Sequence, residues 1–204
     1  MLRWLIPVLV FSSCQNEQDE EPQWRHLREA TWSDIQFGGQ GETSLVDDTF
    51  ALGLGVELTG IKFEDAIPTL PYELTFSARK LTGTDFFCGL TFPVRSEKEC
   101  LTFILGGWGG GTVGLSSIDG KAASENETTS YRNFDFDRWY EITLRVTEEK
   151  IFVMLDRETI IDFEIGDHEL ELRYGAIDLC APFGLSTFQT ASEIRNLRWR
   201  SLSD

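Results

Sequence analysis

The sequence has few basic residues, only two histidines and no long apolar run. Eighteen Lys and Arg stand against 34 Asp and Glu, which gives a formal net charge of −16. A surface of this charge repels phosphate backbones and argues against a nucleic-acid partner. No segment reaches the ~20 consecutive apolar residues that a membrane-spanning helix needs, and no run of Lys and Arg suits anionic lipid heads. A neutral partner such as a sugar, or a cation, is compatible with this composition.

Most short motifs that indicate catalytic or metal chemistry are also missing. No Cys/His spacing indicates a zinc site. His26 and His168 are too few and too separated to suggest a Ser-His-Asp arrangement, and both are predicted to be surface residues. The pairs Asp162/Glu164 and Asp135/Asp137 begin like the alternating carboxylates of jelly-roll glucanases, but the third acid is absent from each.

Period-two alternation is the strongest local pattern, and it dominates from about residue 43 onward. Apolar and polar side chains alternate over 72–79 and 140–147, which predicts half-buried strands. Turn signals recur about every 8 to 12 residues, as in sandwiches and barrels. Further strands are predicted over 86–94, 101–105, 151–155, 160–165, 183–187 and 194–202. No convincing amphipathic helix is present, so the sequence predicts a single all-β domain over 24–204.

The first 23 residues are typical of an exported lipoprotein. Arg3 precedes an apolar run over 4–11, and two serines then lead to Cys14, which is the order of a secretory signal that ends in a lipidated cysteine. The polar, acidic stretch over 15–22 suits a tether. We therefore expect a signal peptide over 1–13, a lipidated acidic tether over 14–23, and a location in the bacterial cell envelope, on the periplasmic or outer-membrane side. The alternative is a buried N-terminal segment with an incidental cysteine.

Three further cysteines are left if Cys14 carries a lipid. Cys88, Cys100 and Cys180 are an odd number, so at most one disulfide could form within the chain. The hairpin predicted around Ser96 would not place Cys88 opposite Cys100. All three are therefore interpreted as buried thiols that act as small apolar side chains.

Residues 106–130 interrupt the strand pattern. Six of the nine residues from 106 to 114 are glycine, and Trp108 stands among them. Glycine permits positive φ and the close approach of another surface. An exposed indole in such a run can stack on the apolar face of a sugar ring. The alternative is that Trp108 folds back as a lid on the core.

Polar side chains follow the glycine run closely. Four of them lie within nine positions: Asp119, Glu125, Asn126 and Glu127. Such oxygens could bind a divalent cation or serve as an acid/base pair. Together with Trp108 and Ser116 they predict a sugar site, in which Trp108, Ser116 and Asn126 contact the ligand. The alternative is a solvated acidic loop.

Several segments together resemble the 3-keto-disaccharide hydrolase-like family of the concanavalin A-like lectin/glucanase superfamily. The resemblance covers about residues 43–202 and rests on these segments: 85–93, 106–110, 114–120, 124–128, 138–140 and 191–198. It implies a jelly-roll β-sandwich of two antiparallel sheets with a sugar-related role.

The resemblance also implies a reaction, cleavage of 3-keto-glycosides by a hydrolase or lyase. A carboxylate base and a cation could perform it, with Asp119 and Glu125 as the candidates and Trp108 as the stacking platform. Many members have Glu or Gln in the strand that here reads Leu-Thr-Phe-Ile-Leu over 101–105, so no catalytic residue is carried over. The rival interpretations are a noncatalytic carbohydrate-binding or scaffolding module, and an envelope structural protein without a small ligand.

Overall fold

The computed structural model describes residues 23–202, and almost all regular structure there is β. The described strands are β1 (Arg25–His26), β2 (Trp32–Asp34), β3 (Thr43–Val46), β4 (Thr49–Leu52), β5 (Leu58–Phe63), β6 (Tyr72–Gly83), β7 (Cys88–Ser96), β8 (Glu99–Gly106), β9 (Thr112–Ser116), β10 (Ser130–Tyr131), β11 (Trp139–Val146), β12 (Lys150–Leu155), β13 (Glu158–Glu164), β14 (Gly184–Phe188) and β15 (Thr190–Ser201). The helical segments in this range are the four-residue turn α1 (Gly107–Gly110) and two 3-10 turns, Leu27–Glu29 and Ala176–Cys180. Within residues 23–202 no helix combines the length and apolar character needed to cross a membrane.

The strands form two sheets, each hydrogen-bonded in antiparallel register. Sheet A has the order β13-β12-β11-β6-β15-β4-β3, and β1 pairs with the C-terminal part of β15. Sheet B has the order β10-β9-β8-β7-β14-β5-β2. The two sheets pack face to face, and their inner side chains form one large apolar cluster. The predicted all-β sandwich of two antiparallel sheets is confirmed.

The alternation in β6 shows how the sequence selects the inner face. Leu74, Phe76 and Ala78 point into the core and are almost fully buried. Their cross-strand partners in β11 include Leu144 and Ile142, which are buried in the same cluster. Burial of such side chains stabilises the fold by roughly 1.5–3 kcal/mol each, so the pairing register is fixed by the apolar set.

Glu73 is an exception to the simple rule that polar residues of β6 lie in solvent. Its side chain is only 5% exposed, because Arg145 and Arg200 fold over it from the two neighbouring strands. Their Nη2 atoms lie 2.6 and 2.8 Å from the two carboxylate oxygens. Two charged partners offset the cost of burying one carboxylate, and they tie β11, β6 and β15 together on the outer face of sheet A.

The predicted strands are all present, but two expectations need correction. Strands β1 and β2 precede residue 43, where strand signals were expected to begin. Residues 106–130 are not one irregular segment, because 112–116 form β9 and 130–131 form β10. Gly114 lies inside β9, where a Cβ atom would meet the carbonyl oxygen of Ala123 at 2.7 Å. The glycine that suggested a loop is therefore a point of close packing within a strand.

The cysteine prediction is confirmed for the described part of the chain. Cys88, Cys100 and Cys180 are buried and free. Cys100 is paired with Pro93, and Cys88 is paired with Leu105, so the two thiols on this hairpin do not face each other. Burial raises the pKa of the Cys100 thiol to about 11, which leaves it protonated at neutral pH. Cys14 lies outside the described residues.

The chain enters the described domain on sheet A. The ring of Trp24 lies 4.5 and 4.6 Å from the guanidinium carbons of Arg198 and Arg200, and β1 then pairs with β15. Cation–π contacts of this kind contribute about 0.5–1 kcal/mol each at exposed sites. The start of the domain is therefore fixed against the outer face of sheet A.

Candidate functional site

A row of mostly small residues crosses the outer face of sheet B. Gly114 of β9 pairs with Ile104 of β8, Ile104 pairs with Gly89 of β7, and Gly89 pairs with Ser186 of β14. Ser186 pairs in turn with Gly60 of β5. Paired residues point to the same face of a sheet, and their neighbours along each strand belong to the core. Three glycines therefore leave the middle of the outer face without Cβ atoms.

Three other parts of the chain use this space to cover the outer face: the segment that contains Phe37, residues 117–129 and residues 166–182. A Cβ atom on Gly60 would lie 3.2 Å from the ring of Phe37, and one on Gly184 would lie 2.8 Å from the carbonyl oxygen of Cys180. Residues 117–129, which we call the 117–129 loop, pack against β9 at Gly114. Residues 166–182, which we call the crossing segment, contain the 3-10 turn at Ala176–Cys180. Sheet B is consequently shielded on both faces.

Asn126 holds the 117–129 loop in place. Its Nδ2 donates to the carbonyl oxygens of Leu115, Lys121 and Ala122 at 2.7, 3.2 and 3.0 Å. Its Oδ1 accepts from the backbone N–H and the hydroxyl of Thr128 at 3.0 and 2.6 Å. All polar atoms of the amide are used within the fold, so this side chain fixes the loop to β9.

Asp119 joins the 117–129 loop to the crossing segment. Its carboxylate accepts the backbone N–H of Glu169 at 2.9 Å and lies 2.7 Å from Nδ1 of His168. The hydrogen bond with His168, followed by that from Glu169, lowers the pKa of Asp119 below its ordinary value. The backbones of Ser117 and Glu171 also exchange hydrogen bonds. The crossing segment is thus anchored at one end by its contacts with residues 117–119.

The covering segments leave a cleft of about 300 Å³ on the outer face of sheet B. Apolar side chains form much of its lining: Leu58, Phe86, Ile104, Ile177 and Phe188. These belong to a second, smaller apolar cluster that is separate from the main core. The rings of Phe86 and Phe188 are stacked at a centroid distance of 6.1 Å. The cleft therefore offers a flat apolar surface to a ligand.

Hydroxyl groups line the cleft beside this apolar surface. Ser116 of β9 pairs with Thr102 of β8, and Thr102 pairs with Thr91 of β7. The Thr91 and Thr102 hydroxyls share a hydrogen bond of 2.9 Å. The Ser116 hydroxyl is buried and makes no hydrogen bond to the described protein. An unsatisfied buried hydroxyl is costly, so this group is suited to a polar ligand atom.

Trp108 stands at the wall of the cleft because Asp85 fixes the α1 turn. The Asp85 carboxylate accepts the backbone N–H groups of Phe86, Trp108 and Gly109 at 2.8, 3.2 and 3.1 Å. Trp108 adopts a φ of 47°, and the residue is 41% exposed and outside both apolar clusters. The guanidinium of Arg173 lies 5.4 Å from the ring centre. The indole is a cleft wall and does not act as a lid on the core.

The five predicted site residues divide into two groups. Trp108 and Ser116 line the same cleft. Asp119, Glu125 and Asn126 are outside its lining, and Glu125 is exposed. Of the acids described, Glu57 alone lines the cleft. Nowhere in residues 23–202 do three His, Cys, Asp or Glu side chains converge as a metal site would require.

Sequence reasoning missed most of the apolar wall and the crossing segment. Phe86 and Ile104 lie in runs that were assigned to strands, and their outward direction appears only from the register with Gly89. Arg173 and Tyr174 line the same cleft although they lie more than 50 positions after Trp108 and Ser116 in the sequence. The available signal was the presence of Gly89, Thr91 and Thr102 within the apolar runs over 86–94 and 101–105, which marks a second packed face.

Solved structures of known proteins resemble this fold. The carbohydrate-binding module CBM66 from Bacillus subtilis has a TM-score of 0.55 and 13% identity, covering 85% of this chain and 98% of that one. The exoplasmic/lumenal domain of VIP36 in its Ca2+/Man-bound form has a TM-score of 0.59 and 13% identity, covering 85% and 84%. Domain 4 of AbnA, a GH43 extracellular arabinanase from Geobacillus stearothermophilus in complex with arabinotriose, has a TM-score of 0.52 and 10% identity, covering 84% and 82%.

These likenesses establish the fold, a jelly roll of the lectin and carbohydrate-binding-module type. No family model matches the chain, and no curated protein matches it. The resemblance to the 3-keto-disaccharide hydrolase-like family is therefore not confirmed beyond the shared β-sandwich architecture.

Asn126 and Glu125 provide a matched test of what holds the 117–129 loop. Replacing Asn126 by Ala removes its amide hydrogen bonds and leaves the carbonyl of Leu115 without this donor, so we expect a loss of about 2–3 kcal/mol in the free energy of unfolding. Glu125→Ala changes an exposed neighbour and should stay within about 0.5 kcal/mol of the parent. Urea unfolding of both variants measures the difference, and equal stabilities would contradict the assigned role of Asn126.

The depressed pKa of Asp119 predicts a stability contribution that depends on pH. A carboxyl with a lowered folded-state pKa stabilises the fold above its ordinary value of 3.8, and the contribution is lost as pH falls through the folded value. Asp119→Asn should therefore lower the melting temperature at pH 5, and the difference from the parent should shrink towards pH 2. Asp167→Asn, at an exposed neighbour of His168, is the control. A difference that persists unchanged at the lowest pH would refute the assignment.

Proposed function

We propose that this domain binds a carbohydrate in the cleft on the outer face of sheet B. The observation that carries the proposal is the buried, unpartnered hydroxyl of Ser116 in a cleft whose wall is the exposed ring of Trp108. A sugar presents an apolar C–H face and several hydroxyls, which match these two groups. A cleft of about 300 Å³ is at the small end of ligand sites. Because the cleft is open to solvent, it suits part of a longer glycan.

The structurally similar proteins named above support a glycan as the ligand. One is a carbohydrate-binding module, one is Man-bound, and one holds arabinotriose. Their identities of 10–13% carry no residue-level correspondence. The proposal for this chain therefore depends on its own cleft.

Binding without hydrolysis is favoured by the distribution of acids. Glycoside hydrolysis uses two carboxyl groups that flank the scissile bond, about 5–10 Å apart. The lining of the cleft includes one acid, Glu57. Asp119 is occupied by His168 and Glu169, and Glu125 is exposed outside the lining. Neither of the two acids suggested for 3-keto-glycoside cleavage lines the cleft, so we propose the noncatalytic module.

Truncation of Trp108 tests the proposal, because it should weaken ligand binding and leave the stability of the fold nearly unchanged. Trp108→Ala removes an exposed platform, so binding of a matching oligosaccharide should weaken roughly tenfold or more, which is about 1.4 kcal/mol, while the fold stays within about 1 kcal/mol of the parent. Tyr131→Ala, which truncates a 72% exposed aromatic outside the cleft lining, should change neither quantity. A glycan array followed by calorimetry measures affinity, and thermal unfolding measures stability.

Ser116→Ala sharpens this experiment. Removal of a buried hydroxyl without a protein partner should leave stability unchanged or raise it, while affinity falls because the ligand loses a hydrogen bond. The carbohydrate proposal fails if Trp108→Ala binds as tightly as the parent, or if truncation of Trp108 costs the 3–5 kcal/mol that is typical of large core residues.

We also propose that Cys14 carries a lipid that anchors the domain to a membrane of the cell envelope. The support is the order of Arg3, the apolar run and the serines before Cys14. The chain then enters the domain at Trp24 on sheet A, whereas the cleft lies on the outer face of sheet B. An anchor at this end would leave the cleft on the side of the domain that faces away from the attachment.

Metabolic labelling tests the anchor directly. In a bacterial host, the parent chain should incorporate a palmitate analogue and Cys14→Ala should not. Cys100→Ala, which alters a buried thiol of the domain, is the control and should label like the parent. Equal labelling of the Cys14→Ala variant and the parent would reject the proposal.

A further inference from the structure

Arg173 is the one cationic side chain among the described residues that line the cleft. Its guanidinium carbon lies 5.4 Å from the centre of the Trp108 ring. No carboxylate in the described range lies within 4 Å of its nitrogens. The charge of this side chain is therefore held over an aromatic face, and no ion pair with a carboxylate of the described residues neutralises it.

An arginine without an acid partner departs from the pattern of this acidic protein. The described arginines that form ion pairs with carboxylates are Arg25, Arg28, Arg79, Arg95, Arg132, Arg138, Arg145 and Arg200. Arg195 and Arg198 lack such a partner, but they stack on Trp139 and Trp24 on sheet A. Arg157 also lacks one and lies in the turn between β12 and β13. Arg173 differs from these three because it lines a cleft.

The chemistry of a guanidinium held beside an indole favours a particular kind of ligand. A guanidinium that lies over an aromatic ring can be held there by its charge while its N–H groups stay available to a ligand. Those groups match the paired oxygens of a carboxylate or a sulfate, with charge-assisted bonds that are roughly twice as strong as neutral ones. Hydroxyls of a neutral sugar would leave the positive charge without a counter-charge.

The net charge of −16 does not prevent this recognition. Exposed charges are screened beyond about 8 Å at physiological ionic strength, so the groups beside the ligand dominate. In the cleft lining these are Arg173 and a single acid, Glu57. The side chain of Tyr174 is 98% exposed next to Arg173 and adds a second aromatic surface at the rim.

We infer that the cleft binds an acidic glycan, with a sugar ring on Trp108 and a carboxylate or sulfate group on Arg173. This inference rests on the proposed carbohydrate-binding function and names the class of sugar. Ser116 and Thr102 then face ring hydroxyls, since they lie in the lining beside the apolar surface.

The experiment compares acidic oligosaccharides with neutral counterparts of the same linkage. Oligogalacturonide and oligomannuronate are each tested beside the product of reducing their carboxyl groups, and a sulfated form of each neutral product is tested as well. The purified full-length protein should bind at least one acidic member roughly tenfold or more tightly than its neutral counterpart. The carboxylate and sulfate arms show which anionic group is preferred, and added salt should weaken acidic binding more than neutral binding.

Variants then assign the preference to Arg173. In Arg173→Gln the acidic and neutral members should bind alike, while the affinity for the neutral member changes little. Arg157→Gln removes an equal charge from a turn outside the cleft lining and should keep the preference. Arg173→Lys should keep part of it, because the charge remains but the paired N–H edge is lost.

Two results would overturn the inference, and they differ in what else they remove. If neutral glycans bind as tightly as acidic ones, or if the preference survives in Arg173→Gln, the acidic-glycan inference is wrong while the carbohydrate proposal stands. If no member of either series binds, the acidic-glycan inference is wrong, and if the glycan array also shows no binding, the carbohydrate proposal is wrong as well. Thermal unfolding of each variant confirms that a loss of binding is not a loss of fold.

Discussion

Sheet B has to be shielded from water on both faces, and the rest of the molecule is arranged around that requirement. Its inner face packs against sheet A, as in any sandwich. Its outer face carries Leu58, Ile104 and Phe188 beside the glycines at 60, 89 and 114. Exposure of this surface would cost about 25 cal/mol for each Å² of apolar area. The 117–129 loop and the crossing segment supply the missing cover, and the cleft is the part that they leave open.

Hydrogen bonds from three polar side chains hold this cover in place, and two of these residues, Asp119 and Asn126, follow the glycine run in sequence. Asp85 gathers three backbone N–H groups around the Trp108 turn, Asn126 closes the 117–129 loop, and Asp119 joins that loop to the crossing segment. Each of these side chains supplies hydrogen bonds to backbone groups where the chain turns sharply and strand pairing ends. Polar residues that lie near a cleft residue in sequence can therefore hold the walls of the cleft in place without lining it.

Sequence patterns predicted the strands of sheet A better than the details of sheet B. Strand β6 alternates because one face meets water, and its register follows from Leu74 and Phe76. Strand β9 was hidden because Gly114 was taken as a sign of a loop, when its missing side chain makes room for Ala123. A face that is covered by other segments loses the polar half of the alternation, so period alone cannot separate strand from loop there.

The sequence pointed to two of the residues that line the candidate cleft. Trp108 and Ser116 could be found because a lone indole among glycines has few local neighbours to bury it. Arg173 and Tyr174 could not, since they reach the cleft through the path of the crossing segment, and that path is set by tertiary contacts such as the pair of Asp119 and His168. The sequence pattern therefore identifies residues of a local motif, but it does not show which distant residues the tertiary contacts bring to the same cleft.

The hydrogen bonds of Asn126 have a consequence for making this protein in other cells. Asn126-Glu127-Thr128 is an acceptor sequence for N-linked glycosylation, and the nitrogen that a transferase would modify is the one that donates to three carbonyl oxygens in the folded loop. The folded domain is therefore closed to this modification, whereas a chain that is still unfolded in a eukaryotic secretory pathway is open to it. A glycan attached to the Asn126 nitrogen at that stage would replace these hydrogen bonds. Secretion from yeast or mammalian cells would then produce a domain whose 117–129 loop is not fixed to β9.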